Sequence, residues 1–151
     1  MPSPLITEHR LMVRSTDMDA DQIVNNARYF EYFEQVRLEH LVALHLFQRP
    51  RAPGESRRSF TLAETTCRYR VPLRHRDVIV GKAWTSMVGT RSFQLAYELS
   101  RESDGVVAAQ GSSAQVWLDE DGRPAPLPDE VRASLVRSMG DEGSRSTPLP
   151  E

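Results

Sequence analysis

Hydrophobic positions along this chain change period several times, and each change marks an element. Residues 5–16 read as a strand, with Leu11 and Val13 on one face and Met12 on the other, the two-residue alternation of a pleated chain. The polar run Asp17, Met18, Asp19, Ala20, Asp21, Gln22 interrupts that alternation. Such side chains compete for nearby backbone groups, which suits a turn or a helix start better than a helix interior. From Ala27 the period becomes helical. Tyr29, Phe33 and Val36 recur at helical spacing, while Phe30, Leu41 and Leu44 widen the apolar surface. A helix ending near Leu46 or Phe47 is expected, with neighbours on several sides and Asn25 or Asn26 as its cap.

The rest of the chain reads mainly as strands. Residues 60–71 form a strand whose inner face changes: Phe60 and Leu62 point one way, Cys67, Tyr69 and Val71 the other. That switch predicts a bulge, a bend or burial on both sides. After a turn at residues 72–76, residues 78–88 form a third strand. In residues 91–103, Phe93, Leu95, Tyr97 and Leu99 alternate with Gln94, Ala96, Glu98 and Ser100. Residues 106–118 form the fifth strand, with Gly111 where something approaches closely. A Pro-rich turn leads to a short helix over residues 129–139, with Val131, Leu135 and Met139 on one face. QRPRAPGESRRS, from Gln48, reads as a mobile loop. Its Arg49, Arg51, Arg57 and Arg58 are either solvated or available to a phosphate. Residues 1–4 read as a loose end and residues 140–151 as a flexible tail.

One strand, one long helix and four strands give an α+β domain over residues 1–139. The consecutive strands are expected to form a meander. They must curl round the aromatic helix, because one flat sheet cannot cover it on all sides. Long unprotected edge strands predict that copies of the chain join edge to edge.

Composition narrows the function. The 151 residues suffice for one domain with a real core. A net charge of −2 makes no electrostatic case for nucleic acid. One cysteine excludes an intrachain disulfide framework and a multi-cysteine metal site, as suits a reducing cytoplasm, and Cys67 reads as a small core residue. No long apolar run suggests a signal peptide or membrane span. No GxSxG elbow and no Gly-rich nucleotide loop occur. His9, His40, His45 and His75 are scattered, and the spacing of His40 and His45 puts them on different helix faces, so neither a metal nor a cofactor is expected. Glu34 and Arg37 are spaced to pair along the helix.

The candidate chemistry lies where the polar turn meets the helix. Free N–H groups at a helix start donate to a developing oxyanion. A carboxylate beside them can deprotonate a water or attack a carbonyl. On the residues alone, the favoured reading is the plainer one: Asp17, Asp19 and Asp21 as solvated residues that start a helix.

DMDADQIVNNARYFEYFEQVR, from Asp17 to Arg37, resembles the signature of hotdog-fold acyl-CoA thioesterases. The branch is that of 4-hydroxybenzoyl-CoA thioesterase and the bacterial long-chain acyl-CoA thioesterases. Plant acyl-ACP thioesterases share a similar stretch, in which an aspartate, an asparagine two residues on, and a histidine precede VNN. The resemblance carries the family aspartate to Asp19. It puts Asp21 at the plant asparagine and Ile23 at the histidine, both departures; the second matches the 4-hydroxybenzoyl-CoA branch, where that position is aliphatic. VNNARY matches closely, as do Glu34 and Arg37. YRVPLRHRDVIVGKAW resembles the family's second-to-third strand passage.

The resemblance implies a hotdog fold over about residues 5–128 and hydrolysis of an acyl- or aroyl-CoA, or an acyl-carrier-protein thioester. Asp19 would be general base or nucleophile, with amides near Asn25 and Asn26 polarising the carbonyl and Tyr29 at the substrate. Arg91, in GTRSF, falls where the branch has a basic residue on CoA phosphate, followed by Ser92; an ordinary turn arginine is the other reading. Glu64 and Thr65 would line a pocket across a homodimer or dimer of dimers, or face solvent. A non-catalytic acyl-CoA or acyl-carrier binding protein is the alternative function; a hotdog hydratase fits less well, lacking an evident Asp–His pair.

Overall fold

The computed structural model describes residues 3–46 and 59–140. The Arg-rich loop from Gln48, the proposed helix end at Phe47 and the tail from residue 141 lie outside these residues. The elements follow the expected order: β1 (Thr7–Met12), a 3₁₀ turn (Ser15–Asp17), α1 (Arg28–Ala43), β2 (Phe60–Tyr69), β3 (Val78–Val88), β4 (Ser92–Arg101), β5 (Val107–Trp117) and α2 (Asp129–Ser138). The strands form one antiparallel sheet in the order β1-β3-β4-β5-β2. It curls round α1 as a hotdog fold.

The meander holds only for β3, β4 and β5. β2 leaves β3 and pairs with β5 at the far edge. A tight hairpin would have returned β2 onto β3. Instead residues 70–77 carry the chain across the open end of the curl. Leu73 is fully buried there. Its carbonyl accepts the Val24 amide at 2.8 Å, and the Arg76 amide donates to the Val13 carbonyl at 3.2 Å. The face switch in β2 is a bulge, where the pairing with β5 shifts between Leu62 and Glu64.

Helix α1 ends at Ala43, short of Leu46. His45 takes φ 60°, the His45 amide donates to the Val42 carbonyl and the Leu46 amide to that of Leu41. This paired closure satisfies the last carbonyls and stops the helix. α1 buries one broad face, comprising Tyr29, Tyr32, Phe33, Val36, Arg37, His40 and Leu41, and leaves Glu31, Glu34 and Gln35 exposed. It is therefore not enclosed on every side within one chain. Phe33 stacks on Tyr97 with centroids 4.8 Å apart. The close approach expected at Gly111 is this contact: a Cβ there would lie 2.5 Å from the Phe33 ring, so only glycine lets the ring rest on the sheet.

Two polar groups enter this buried face. His40 is fully buried; its ring nitrogens meet Thr7 Oγ1 at 2.8 Å and Thr85 Oγ1 at 3.0 Å, and Ser138 Oγ donates to Thr85. One histidine thus links β1, α1, β3 and α2. Arg37 pairs with Glu34 as expected, at 3.8 Å, and also turns inward to donate to the Tyr97 hydroxyl at 3.4 Å. Tyr97 continues to Ser113 and Gln115, whose Nε2 donates to the Phe93 carbonyl. Among the described residues, no helix is long and apolar enough to cross a membrane.

Candidate active site

The turn between β1 and α1 is pinned from both sides. Asp17 is almost wholly buried. Its carboxylate accepts the Arg14 amide at 2.9 Å, the Arg14 guanidinium at 3.1 Å and the Tyr32 hydroxyl at 2.8 Å. Burial pushes its pKa up, but these donors outweigh burial and leave the carboxyl below the ordinary Asp value. Burial and the Asp17 charge together push the Tyr32 hydroxyl up. Tyr32 sits in the first turns of α1, so this pair ties the turn to the helix.

Beyond Asp17 the chain closes a small loop. Met18 and Val24 form an isolated bridge, the Asp19 amide donates to the Ile23 carbonyl at 2.8 Å, and Gln22 takes φ 64°. Asp19 is half-buried. Its Oδ1 accepts the Asp21 amide at 2.8 Å, an Asx turn, and Oδ2 has no partner among the described residues. Two aspartates two residues apart thus differ: one is sealed beneath the turn and the other is held at its rim.

At the helix start, Ala27 is the N-cap, with no side-chain cap of its own. The expected cap acts two residues earlier: Asn25 Oδ1 accepts the Ala27 amide at 3.0 Å, and the Asn25 carbonyl accepts that of Arg28. The Asn25 amide is committed to the Asp17 carbonyl at 2.8 Å. The Asn26 amide has no acceptor among the described residues. Its carbonyl accepts the Tyr69 hydroxyl at 2.9 Å, and Tyr69 packs edge-on against Tyr29.

Beside Asn26, Tyr29 and Tyr69 lies a pocket of about 250 Å³, lined by these three with Ile23, Val24, Arg70, Val71 and Pro72; the Asp19 loop borders it through Ile23 and Val24. Another, of about 260 Å³, lies between the N-terminal segment and α2, beside Ile6, Trp84 and Met139. It contains none of the turn residues. The chemistry therefore points to the first. Tyr69 was not among the sequence candidates, although its inward parity with Cys67 on β2 was readable. Burial pushes its hydroxyl up to about 12 and the Cys67 thiol up to about 11, Tyr69 opposing the latter; both stay protonated near neutrality.

The remaining candidates lie elsewhere. Arg91 is exposed on the β3–β4 hairpin, with Ser92 bonded back to Gly89. Ser92 pairs with Val116 and Phe60 with Trp117, whereas Tyr69 pairs with Ala109. Arg91 is thus at the opposite end of the sheet from Asn26. Glu64 is exposed just past the bulge, in register with Ala114, and Thr65 is in register with Ser113; the Thr65 hydroxyl donates to the Ser112 carbonyl at 3.2 Å. A single chain gathers Asp19, Asn25, Asn26 and Tyr29 at one end and leaves the others apart. Among the described residues, no three His, Cys, Asp or Glu side chains converge as a metal-ligand set.

Comparison with known proteins identifies the family. The long-chain acyl-CoA thioesterase FadM of Escherichia coli is 27% identical over 131 residues, covering 86% of this chain and 97% of that protein. The chloroplastic acyl-acyl carrier protein thioesterase ATL3 of Arabidopsis thaliana is 27% identical, over 87% of this chain and 68% of its own length. A Thermus thermophilus thioesterase solved with coenzyme A and Zn superposes with a TM-score of 0.75 at 27% identity, over 89% of this chain and 95% of that one. A family model of the thioesterase-like superfamily matches residues 13–135. The chain therefore belongs to the thioesterase-like superfamily and is a thioester hydrolase of hotdog fold.

Proposed function

We propose that the chain hydrolyses an acyl or aroyl thioester, carried by CoA or by an acyl carrier protein, to the free acid and thiol. Asp19 acts as general base or nucleophile, and the Asn26 amide receives the oxyanion. The observation that carries this reading is the Asn26 N–H: among the described residues it is unpartnered, at a helix start, beside a pocket, one small loop away from a carboxylate with an oxygen likewise unpartnered.

As general base, Asp19 takes a proton from water while the oxygen adds to the thioester carbon. The carbonyl oxygen becomes an alkoxide against the Asn26 amide and the positive end of α1. On collapse the C–S bond breaks and the thiolate leaves with the proton that Asp19 held. As nucleophile, Asp19 expels the thiolate directly, and water then cleaves the mixed anhydride. Asn25 holds the turn so that the Asn26 amide stays free, and Tyr29 and Tyr69 form the pocket wall. Relatives named for acyl-CoA and for acyl-carrier thioesters support both substrate classes.

The working unit in this reading is at least a homodimer. β2 is an edge strand, and unpaired strand groups favour joining another edge. Two β2 edges joined antiparallel about a two-fold axis would bring the Phe60–Arg91 end of one chain to the Tyr69–Asn26 end of its partner. Arg91 and Ser92 would then reach the substrate's phosphates, and Thr65 or Glu64 would wall the pocket, although no single chain unites them. Turnover of an acyl-CoA panel with free-thiol detection tests the proposal. Thiol release from none of the panel, nor from an acyl carrier protein, would refute it.

A further inference from the structure

RYRVPLRHR, residues 68–76, holds four arginines and a histidine without one acidic residue, in a chain of net charge −2. This positive segment borders the candidate pocket: Arg70 and Pro72 line it, and the Leu73 carbonyl holds the far side of the Asp19 loop through Val24. Arg68, Arg70, Arg74 and Arg76 are all exposed. Arg68 lies on β2 and Arg70 one residue past its end, with the same parity, and Arg70 Nε donates to Gln110 at 2.8 Å. Asp77, the nearest acid in sequence, binds the Arg74 amide through its carboxylate. Arg68, Arg74 and Arg76 form no ion pair among the described residues.

We propose that these four arginines form a docking collar for an acidic, helical acyl carrier protein, which delivers its pantetheine-borne thioester to the Asn26 pocket. The inference rests on the thioesterase reading and names the partner of that site. Arrangement decides against a nucleotide. A nucleotide site is concave, with a few convergent polar groups. Here Arg68 and Arg70 stand about 7 Å apart along extended chain at the end of β2, and Arg74 and Arg76 follow beyond a proline. An acidic helix presents carboxylates every three or four residues, about 5–6 Å apart, and matches such a strip. The exposed charges of Arg68, Arg74 and Arg76 also steer encounter with an oppositely charged protein.

The test compares three substrates with one acyl group: acyl-pantetheine, acyl-CoA and the acylated form of a discrete bacterial acyl carrier protein. The variants are Arg68→Glu and Arg74→Glu, singly and together, with Arg137→Glu on α2 as a charge control. The double variant should lose about tenfold or more in kcat/KM toward the acyl carrier protein at low salt, and the loss should shrink as salt rises. Acyl-pantetheine and acyl-CoA should stay within about twofold, and Arg137→Glu should resemble the parent on all three. Calorimetric titration with the holo-carrier protein reads docking without turnover. An equal loss on acyl-CoA, carrier binding insensitive to both reversals, or no carrier binding at low salt overturns the inference. Arginine-dependent carrier binding without hydrolysis of any substrate would instead overturn the thioesterase reading and leave the docking surface standing.

Discussion

Asp17 and Asp19 show how two residues of one type, two positions apart, take different work. Asp17 is enclosed by Arg14 and Tyr32 and offers no oxygen to a substrate. Asp19 keeps one oxygen free at the rim of the pinned loop. Asp19→Asn is expected to keep the fold and lower kcat by about 10²–10⁴, the range lost with a general base. Asp17→Asn should lose less activity and more stability, about 1–3 kcal/mol, because a charged acceptor of buried donors is removed. Parallel steady-state kinetics and urea unfolding check both; unchanged turnover in Asp19→Asn would end its assignment. At Arg91 the expectation is a KM effect. Contact with remote phosphates is the same in ground and transition states, so Arg91→Ala should raise KM for acyl-CoA with little change in kcat. Acyl-pantetheine, which lacks the nucleotide, should be indifferent to the substitution. If both substrates suffer alike, Arg91 does not read the nucleotide.

At the scale of elements, β1, α1, β3 and α2 meet at His40. Burial pushes its pKa down to about 4, against an ordinary value near 6.5, because a charged ring there would leave water for two hydroxyls. The unfolded chain therefore binds the proton more readily. The stabilisation is complete above about pH 6.5 and is lost as pH falls toward about 4, then levels off. At roughly 1.4 kcal/mol per pH unit over that window, the loss is about 3 kcal/mol. Urea unfolding at a series of pH values between 7.5 and 4 should show the slope, and His40→Gln should flatten it. A slope retained in the variant would mean that other groups cause it. The same helix shows how a sheet admits an aromatic layer. Gly81 and Gly111 leave room for Val36 and Phe33, and the stacked Phe33–Tyr97 pair lies directly over the Tyr97–Ser113–Gln115 chain.

For the whole molecule, the separation of Asn26 from Arg91 makes the shared site a sharp prediction. An inactive Asp19→Asn chain and an inactive partner-wall variant, such as Glu64→Ala, are to be dissociated reversibly and mixed. If β2 edges pair and each site draws on two chains, mixed dimers regain one complete site. Mixed dimers that form demonstrably and stay inactive would refute sharing through Glu64. Should Glu64→Ala alone be fully active, Glu64 is no part of the site.

The sequence by itself determined the elements, the fold class and the candidate turn. Side-chain period depends on local backbone geometry, so every strand and both helices were legible, β3 to the residue and the β2 bulge from its change of face. The polar turn before a helix was legible for the same reason, and its resemblance singled out Asp19. Tertiary structure alone decided what depends on distant partners. β2 pairs with β5 because residues 70–77 cross the open end with Leu73 buried, and no local pattern records a crossing. Arg37 and His40 count as polar in any periodicity, yet both are buried, because hydroxyl groups on the strands pair with them. The Asn25 and Asn26 amides look equivalent in sequence. They differ because the Asp17 carbonyl, brought back by the turn, takes the first, while the second has no acceptor among the described residues.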